Sequence, residues 1–121
     1  MIDHIMIHVS YVEEAKEFYS LALAPLEYEL IWEMKSWLGF GQDGKPDFLL
    51  KGGAKNTPPV HLAFRAESRL MVRTFYNAAI AAGGKDNGPP GIRHDYHPNY
   101  YAAFILDPDG NNIEAVCHGS E

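Results

Sequence analysis

The segments His4-Ile5-Met6-Ile7 and His61-Leu62-Ala63-Phe64 decide the fold, because each begins one copy of a repeated strand-helix unit. In both copies a Phe-Tyr pair follows the histidine by fourteen and fifteen residues, at Phe18-Tyr19 and at Phe75-Tyr76. A shift of the chain by 57 residues superposes the two copies. The chain therefore contains an internal repeat, with a histidine at the same place in each copy.

The first copy predicts a strand, a helix and three further strands within residues 1–53. Polar and apolar residues alternate from Asp3 to Val9, as in a half-buried strand. A helix with an apolar stripe follows and ends before Pro25, and Ser10 with Glu13 predicts a capping box at its start. The pattern then predicts three short strands at 28–32, 37–41 and 48–51.

The second copy repeats this plan within residues 60–121, after a polar connector at 54–59. A strand at 60–66 and a helix at 68–82 are followed by a loop at 87–98 that is rich in Gly, Pro and His. A closing hairpin, 100–106 with 112–118, turns at Asp107-Pro108-Asp109-Gly110. We therefore expect one α+β domain of two tandem βαβββ modules, whose paired curved sheets enclose a cleft.

The composition narrows the class of protein. The chain has 121 residues and a net charge of −6, which argues against a nucleic-acid-binding surface. We expect no membrane span, because no apolar run is long enough, and no signal peptide at the N-terminus. Cys117 is the single cysteine and is expected to be a small buried hydrophobe. Without an intramolecular disulfide, a reducing cytoplasm is the expected compartment.

Ionisable side chains share one face of three predicted strands, since residues two apart on a strand point the same way. These faces carry His4, Met6 and His8; His61, Ala63 and Arg65; and Asn112, Glu114, Val116 and His118. The opposite faces are apolar and are expected to pack against the helices. His4, His61 and Glu114 together offer two imidazoles and one carboxylate, which is a facial-triad type of metal site with open positions. The alternative is that these are unrelated surface histidines.

The chain resembles the vicinal oxygen chelate superfamily, which contains glyoxalases, bleomycin-resistance proteins and extradiol dioxygenases. The resemblance covers nearly the whole chain and rests on three motifs. They are Asp3-His4-Ile5 with its helix, Val60-His61-Leu62, and the segment from Asp107-Pro108-Asp109-Gly110 to Glu114. It implies one divalent ion per site (Fe, Mn, Zn, Ni or Co) held by His4, His61 and Glu114. It also implies a homodimer in which His4 of one chain lies beside His61 and Glu114 of the other, or else a site closed within one chain.

Three departures from known members bear on the reaction. Alignment of Asp43-Gly44 with Asp109-Gly110 puts Phe48 where glyoxalase I enzymes carry a fourth ligand, and Phe48 is then expected to wall the cleft. Phe104 stands where ring-cleaving dioxygenases carry a catalytic tyrosine. The fosfomycin-type thiol transferases use an arginine shortly after the glutamate, and none follows Glu114 here.

Four other residues are secondary candidates. His8 and His118 each lie four residues beyond a proposed ligand on the same face, and either could act with Glu114 in proton transfer. Arg93 and Tyr101, in or beside the Gly/Pro-rich loop, could bind the substrate. The alternatives are a hydrogen-bonded pocket wall for the histidines and a solvated loop for the other two.

Two classes of function follow. The first is a divalent-metal enzyme (a lyase, isomerase, transferase or dioxygenase) that chelates a small oxygen-bearing substrate and moves a proton. The second is a metal-free protein of the bleomycin-resistance type that sequesters a ligand in the same cleft. A fosfomycin-type thiol transferase is a further alternative within the superfamily.

Overall fold

Two β-sheets and two α-helices make up the computed structural model, which describes residues 1–120. The first module contains β1 (Ile5–Val9), α1 (Val12–Leu23), β2 (Glu29–Met34), β3 (Trp37–Gln42) and β4 (Lys45–Gly52). A short 3₁₀ helix, Ala24–Leu26, follows α1. The strand order is β1-β4-β3-β2, with β1 parallel to β4 and the other pairs antiparallel.

The second module has the same arrangement. It contains β5 (His61–Arg65), α2 (Arg69–Ala81), β6 (Lys85–Asp86), β7 (Gly91–Ile92), β8 (Tyr101–Leu106) and β9 (Asn112–Cys117). The strand order is β5-β9-β8-β6, β5 is parallel to β9, and β7 pairs with β8 beside this path. The predicted repeat and the α+β class of paired sheets are therefore confirmed.

The core lies between the helices and the inner faces of the sheets. The largest buried side chains include Phe18 and Tyr19 of α1 and Phe75 of α2, so the repeated aromatic motif is a packing motif. Ile113, Ala115 and Cys117 are buried on the inner face of β9, as predicted. No helix within residues 1–120 has the length and apolar character needed to cross a membrane.

The start of α1 differs from the prediction. Its N-cap is Tyr11, and no side chain caps the helix, so the capping box expected from Ser10 and Glu13 is wrong. The Ser10 backbone N–H instead donates to Asp109 Oδ2 at 2.7 Å, so Ser10, which directly follows β1, is bonded to the second module. At α2 the expected cap is present, because Ser68 Oγ accepts a hydrogen bond from the Met71 N–H.

The pairing of β4 with β1 corrects the position assigned to Phe48. Glu114 pairs with Ala63, whose repeat partner is Met6, and Met6 pairs with Leu49. The residue equivalent to Glu114 is therefore Leu49, and Phe48 lies one residue away on the core-facing side, 1% exposed. The first module still has no carboxylate at this position, because leucine takes the place that the alignment gave to phenylalanine.

The two hairpin turns differ in length, and this explains the shifted alignment. Gln42 pairs with Lys45, so Asp43 and Gly44 form a two-residue turn, both with positive φ (53° and 76°). In the second module Leu106 pairs with Asn112, so residues 107–111 lie outside the ladder. Superposition of the two Asp-Gly pairs therefore misaligns the strands that follow them.

The longer turn, residues 107–111, makes hydrogen bonds to both modules. Asp107, 4% exposed, accepts hydrogen bonds from Tyr19 Oη (2.5 Å), from the backbone N–H groups of residues 109 and 111, and from Asn111 Nδ2. Asn111 Oδ1 in turn accepts from the Val60 N–H at 3.0 Å. These bonds join α1, the start of β5 and the closing hairpin, and so fix the ends of β5 and β9 relative to each other.

Candidate functional site

Glu114 is a buried carboxylate in the middle of β9, with only 1% of its surface exposed. Its Oε1 lies 2.8 Å from Nε2 of His61 on the neighbouring strand β5. Its Oε2 accepts a hydrogen bond from the Tyr100 hydroxyl at 2.5 Å. A buried carboxylate needs such partners, because the transfer of an unpaired charged group from water into the protein interior costs free energy. His61 is partly open to solvent, with 54% of its side chain exposed, so the pair is reachable from outside.

Tyr100 is the neighbour of Glu114 that the sequence analysis missed. It lies directly before β8, and burial together with its hydrogen bond to Glu114 raises the pKa of its hydroxyl well above the ordinary value. Strand alternation was the available signal. Because Phe104 pairs with Glu114, the even-numbered residues of β8 share the side of Glu114, and Tyr100 continues that series.

Tyr101, the tyrosine chosen from the sequence as a substrate contact, lies on the other side of β8. Its hydroxyl is 3.4 Å from Arg73 Nη1, and the Arg69 guanidinium lies 5.0 Å from its ring. Both arginines belong to α2, so Tyr101 is directed toward the helix and away from Glu114.

His118 lies beside Tyr100, just beyond the end of β9. Its Nδ1 is 2.7 Å from His97 Nε2, the two rings are stacked, and the Tyr100 ring meets it edge-on at 5.3 Å. The Asn99 backbone N–H donates to His97 Nδ1, so the proton of His97 is on Nε2 and is donated to His118. Tyr100 therefore contacts both His118, through its ring, and Glu114, through its hydroxyl.

Arg93 lies over the Phe104 ring at 5.2 Å, and Phe104 in turn lies 6.1 Å from the His61 ring. Its guanidinium donates to the carbonyl oxygens of Gly91 (2.9 Å) and Pro89 (2.7 Å). The Gly/Pro-rich loop that carries Arg93 therefore lies on the same side of the sheet as His61. The two guanidinium hydrogen bonds of Arg93, however, are made within the loop.

His4 lies in the other module and does not join His61 and Glu114 within the chain. Within residues 1–120 no group of three or more His, Cys, Asp and Glu side chains is placed to hold a metal ion. His4 Nδ1 lies 2.7 Å from Asp3 Oδ1, and this hydrogen bond lowers the pKa of Asp3. A histidine that donates from Nδ1 keeps the Nε2 lone pair free, which is the tautomer that a metal-ligating histidine uses.

His8 shares the strand face of His4 and is half-buried. Its backbone N–H donates to Asn56 Oδ1 at 2.9 Å, and its Nδ1 is buried with no hydrogen-bond partner among residues 1–120.

A groove of about 720 Å³ runs between the first sheet and β5. His4 and Phe48 line it, whereas His61, Glu114 and Tyr100 do not. The ring of Phe48 also packs edge-on against Tyr19 and Phe64, at 5.3 Å in each case, so it belongs to both the groove and the core.

Comparison with known proteins gives a consistent family. The model of the glyoxalase/bleomycin resistance protein/dioxygenase superfamily matches residues 1–115. The uncharacterized protein YqjT of Bacillus subtilis (strain 168) is 27% identical over 93% of this chain and 95% of its own.

Solved structures agree with that match. A glyoxalase/bleomycin resistance protein from Albidiferax ferrireducens T118 is 30% identical, with a TM-score of 0.79 over 94% of this chain and 95% of its own. A putative glyoxalase from Bacillus halodurans is 26% identical, with a TM-score of 0.73 over 97% of this chain and 95% of its own.

Proposed function

Because the chain belongs to the glyoxalase/bleomycin resistance protein/dioxygenase superfamily, we propose that it is a divalent-metal-dependent enzyme acting on a small oxygen-bearing substrate. The observation that carries this proposal is the His61–Glu114 pair, an imidazole and a buried carboxylate 2.8 Å apart. These are two of the three donors of a His₂-carboxylate site.

The donor set fits a divalent ion only if a third ligand is added. His4 is bonded through Nδ1 to Asp3, which leaves Nε2 for a metal ion, but it lies in the other module of the chain, away from His61 and Glu114. We therefore assign the third position to His4 of a second copy, so that a homodimer carries two sites. Each site then draws His61 and Glu114 from one chain and His4 from the other.

A divalent ion held by His61, Glu114 and His4 of a second copy would supply Lewis-acid polarisation of the substrate's oxygen atoms. The chain's own residues orient the carboxylate, leave space for the substrate and transfer the proton. Tyr100 holds Glu114 in one orientation through Oε2, while the open side of His61 leaves room for substrate. We assign proton transfer to His118, which lies beside Tyr100, or to His8, whose Nδ1 has no hydrogen-bond partner among residues 1–120.

A ligand-sequestering protein without metal is the second candidate, and one observation favours it. Both oxygens of Glu114 already have partners within the chain, His61 and Tyr100, so the hydrogen-bond network is complete without an ion. The groove then serves as a binding pocket alone.

Metal content and molecular mass, measured together, test the proposal. Protein purified without added metal is expected to retain one divalent ion per chain by elemental analysis, and to be a dimer by light scattering. A chain that binds none of Fe, Mn, Zn, Ni or Co under any loading condition belongs to the second candidate. A monomer that retains metal at micromolar concentration excludes the shared site and restores a site closed within one chain.

A further inference from the structure

We propose that the groove lined by His4 receives a substrate with a positively charged head and an aromatic or apolar body. The inference deepens the proposed function and rests on it, because His4, the ligand assigned above to the site of a second copy, lines this groove. It is carried by the charges and rings that line the groove.

Carboxylates dominate the charge of the groove. Six acidic side chains line it, and Arg65 is the one permanently cationic lining residue within residues 1–120. The six are Asp3, Glu27, Glu29, Asp43, Asp47 and Glu67. A concave surface lined by one sign of charge concentrates ligands of the opposite sign, because its low-dielectric walls focus the field.

Four of these carboxylates face the groove without partners. Asp3 is bonded to His4, and Asp47 accepts both of its hydrogen bonds from the Tyr28 hydroxyl, at 2.9 and 3.0 Å. The other four side chains make no hydrogen bond or ion pair within residues 1–120. They are Glu27, Glu29, Asp43 and Glu67. Their charge is therefore available to a ligand.

Aromatic rings form the apolar wall of the same groove. Phe64 meets Tyr28 at 5.4 Å and Phe48 at 5.3 Å, in each case edge to face, and Leu62 and Met71 extend the wall. Such a wall takes up an apolar body, and ring faces attract organic cations. The combination of rings with free carboxylates selects an amine or quaternary ammonium compound.

The same lining rejects anions. A substrate that carries carboxylates or a phosphonate would face four unpaired acids and a single arginine, and repulsion of this kind is how a site excludes a wrong ligand. Substrates with several negative charges are therefore disfavoured in this groove by its charge alone.

Three probes that share one ring separate these possibilities: benzylamine, benzyl alcohol and benzoate. Calorimetric titration of the full-length protein at low salt is expected to show tightest binding of benzylamine, weaker binding of benzyl alcohol and none of benzoate. Added salt is expected to weaken the binding of benzylamine and leave that of benzyl alcohol unchanged.

The double variant Glu29→Gln/Glu67→Gln is expected to weaken benzylamine binding by about fivefold to tenfold with no change for benzyl alcohol. The matched control is Glu13→Gln, which removes an exposed carboxylate of α1 outside the groove and leaves all three titrations unchanged. Circular dichroism reports whether each variant is folded.

Binding of benzoate as tight as that of benzylamine overturns the inference, as does equal benzylamine binding in the double variant or no binding of any probe. The titrations are run on protein with and without its metal. Metal content alone decides the proposed function, so a cation-selective groove in a chain that holds no metal would make the amine a sequestered ligand and not a substrate.

Discussion

The Tyr100 hydroxyl donates a hydrogen bond of 2.5 Å to Oε2 of Glu114, and this bond fixes the orientation of a carboxylate that is otherwise enclosed by protein. The other carboxylate oxygen is held by His61. Glu114 therefore has one oxygen directed to a proposed metal-ligand neighbour and one directed to a residue whose role is to position it.

Tyr100→Phe is expected to keep the fold and weaken metal binding. The ring still packs against His97 and His118, but Oε2 of Glu114 loses its donor, and loss of such an outer partner typically costs about tenfold to a hundredfold in metal affinity. Competition with a chelator measures the affinity, and the visible spectrum of the cobalt-loaded protein reports the changed ligand geometry.

Tyr101→Phe is the matched control for that variant, because it removes the hydroxyl of the adjacent tyrosine on the opposite side of β8. Its metal affinity and cobalt spectrum are expected to match the wild type. Equal affinity in Tyr100→Phe and wild type would show that Tyr100 is only a packing residue.

Substitution of the proposed ligands is expected to deplete the metal. His4→Ala and His61→Ala each remove one donor from a site with open positions, and Glu114→Gln removes the negative charge of the third ligand. Bound metal should fall well below the wild-type level in all three variants. Elemental analysis with circular dichroism distinguishes lost metal from lost fold. Full metal in every one of the three variants would remove the metalloenzyme from consideration.

His8→Ala and His118→Ala are expected to retain metal and to lower the rate of turnover. Neither side chain is a proposed ligand, and general acid-base catalysis contributes about a hundredfold to ten-thousandfold to a rate. The comparison is made on the substrate found for the wild type, with metal content measured on the same samples. Unchanged rates in both variants would assign both histidines to the pocket wall.

Asp107→Ala is expected to destabilise the folded protein by about 2–4 kcal/mol, because it leaves several buried donors without an acceptor. Those donors include Tyr19 Oη, Asn111 Nδ2 and two backbone N–H groups of the turn. Denaturant unfolding measures the change. Asp95→Ala, at an exposed position in the 93–100 loop, is the control and is expected to unfold at the wild-type midpoint.

Alkaline pH is expected to unfold the protein in part through Tyr19. Burial, and then the neighbouring Asp107, raises the pKa of Tyr19 well above its ordinary value. The folded state therefore keeps this proton longer than the unfolded state does. The stabilising contribution is complete below the unfolded pKa and is lost as the pH rises above it.

Tyr19→Phe is accordingly expected to be less stable at neutral pH but to lose less stability on moving to alkaline pH. Tyr28→Phe should reduce the loss of unfolding free energy with rising pH only up to about pH 12, because burial and Asp47 raise the pKa of Tyr28 to about 12. Unfolding free energies measured over this range check both variants. Parallel curves for Tyr19→Phe and wild type would contradict this assignment.

The parts of the fold that follow from periodicity were predictable. The repeat predicted both helices, the succession of a strand, a helix and further strands in each module, and the inner faces of the strands. The two-residue strands β6 and β7 were not predicted, because they form by backbone pairing with β8 and carry no alternating pattern. The position of Phe48 was missed because turn length, and not the Asp-Gly sequence, sets the register.

The candidate site was predictable only in part. Strand alternation put His61 and Glu114 on one side of the second sheet, where they lie within hydrogen-bond distance. The role of Tyr100 depends on which of two adjacent tyrosines faces Glu114, and this is a question of register. The assignment of His4 to the same centre involves a second copy of the chain, and no pattern within one sequence determines how two copies meet.

Subunit complementation tests the shared metal site most directly. His4→Ala and Glu114→Ala chains, each unable to hold metal alone, are unfolded together, refolded as mixed dimers and verified by native mass spectrometry. In a mixed dimer one site contains both substitutions and the other contains neither. Random pairing should therefore restore about a quarter of the wild-type metal. Mixed dimers that form and bind no metal would contradict the shared site.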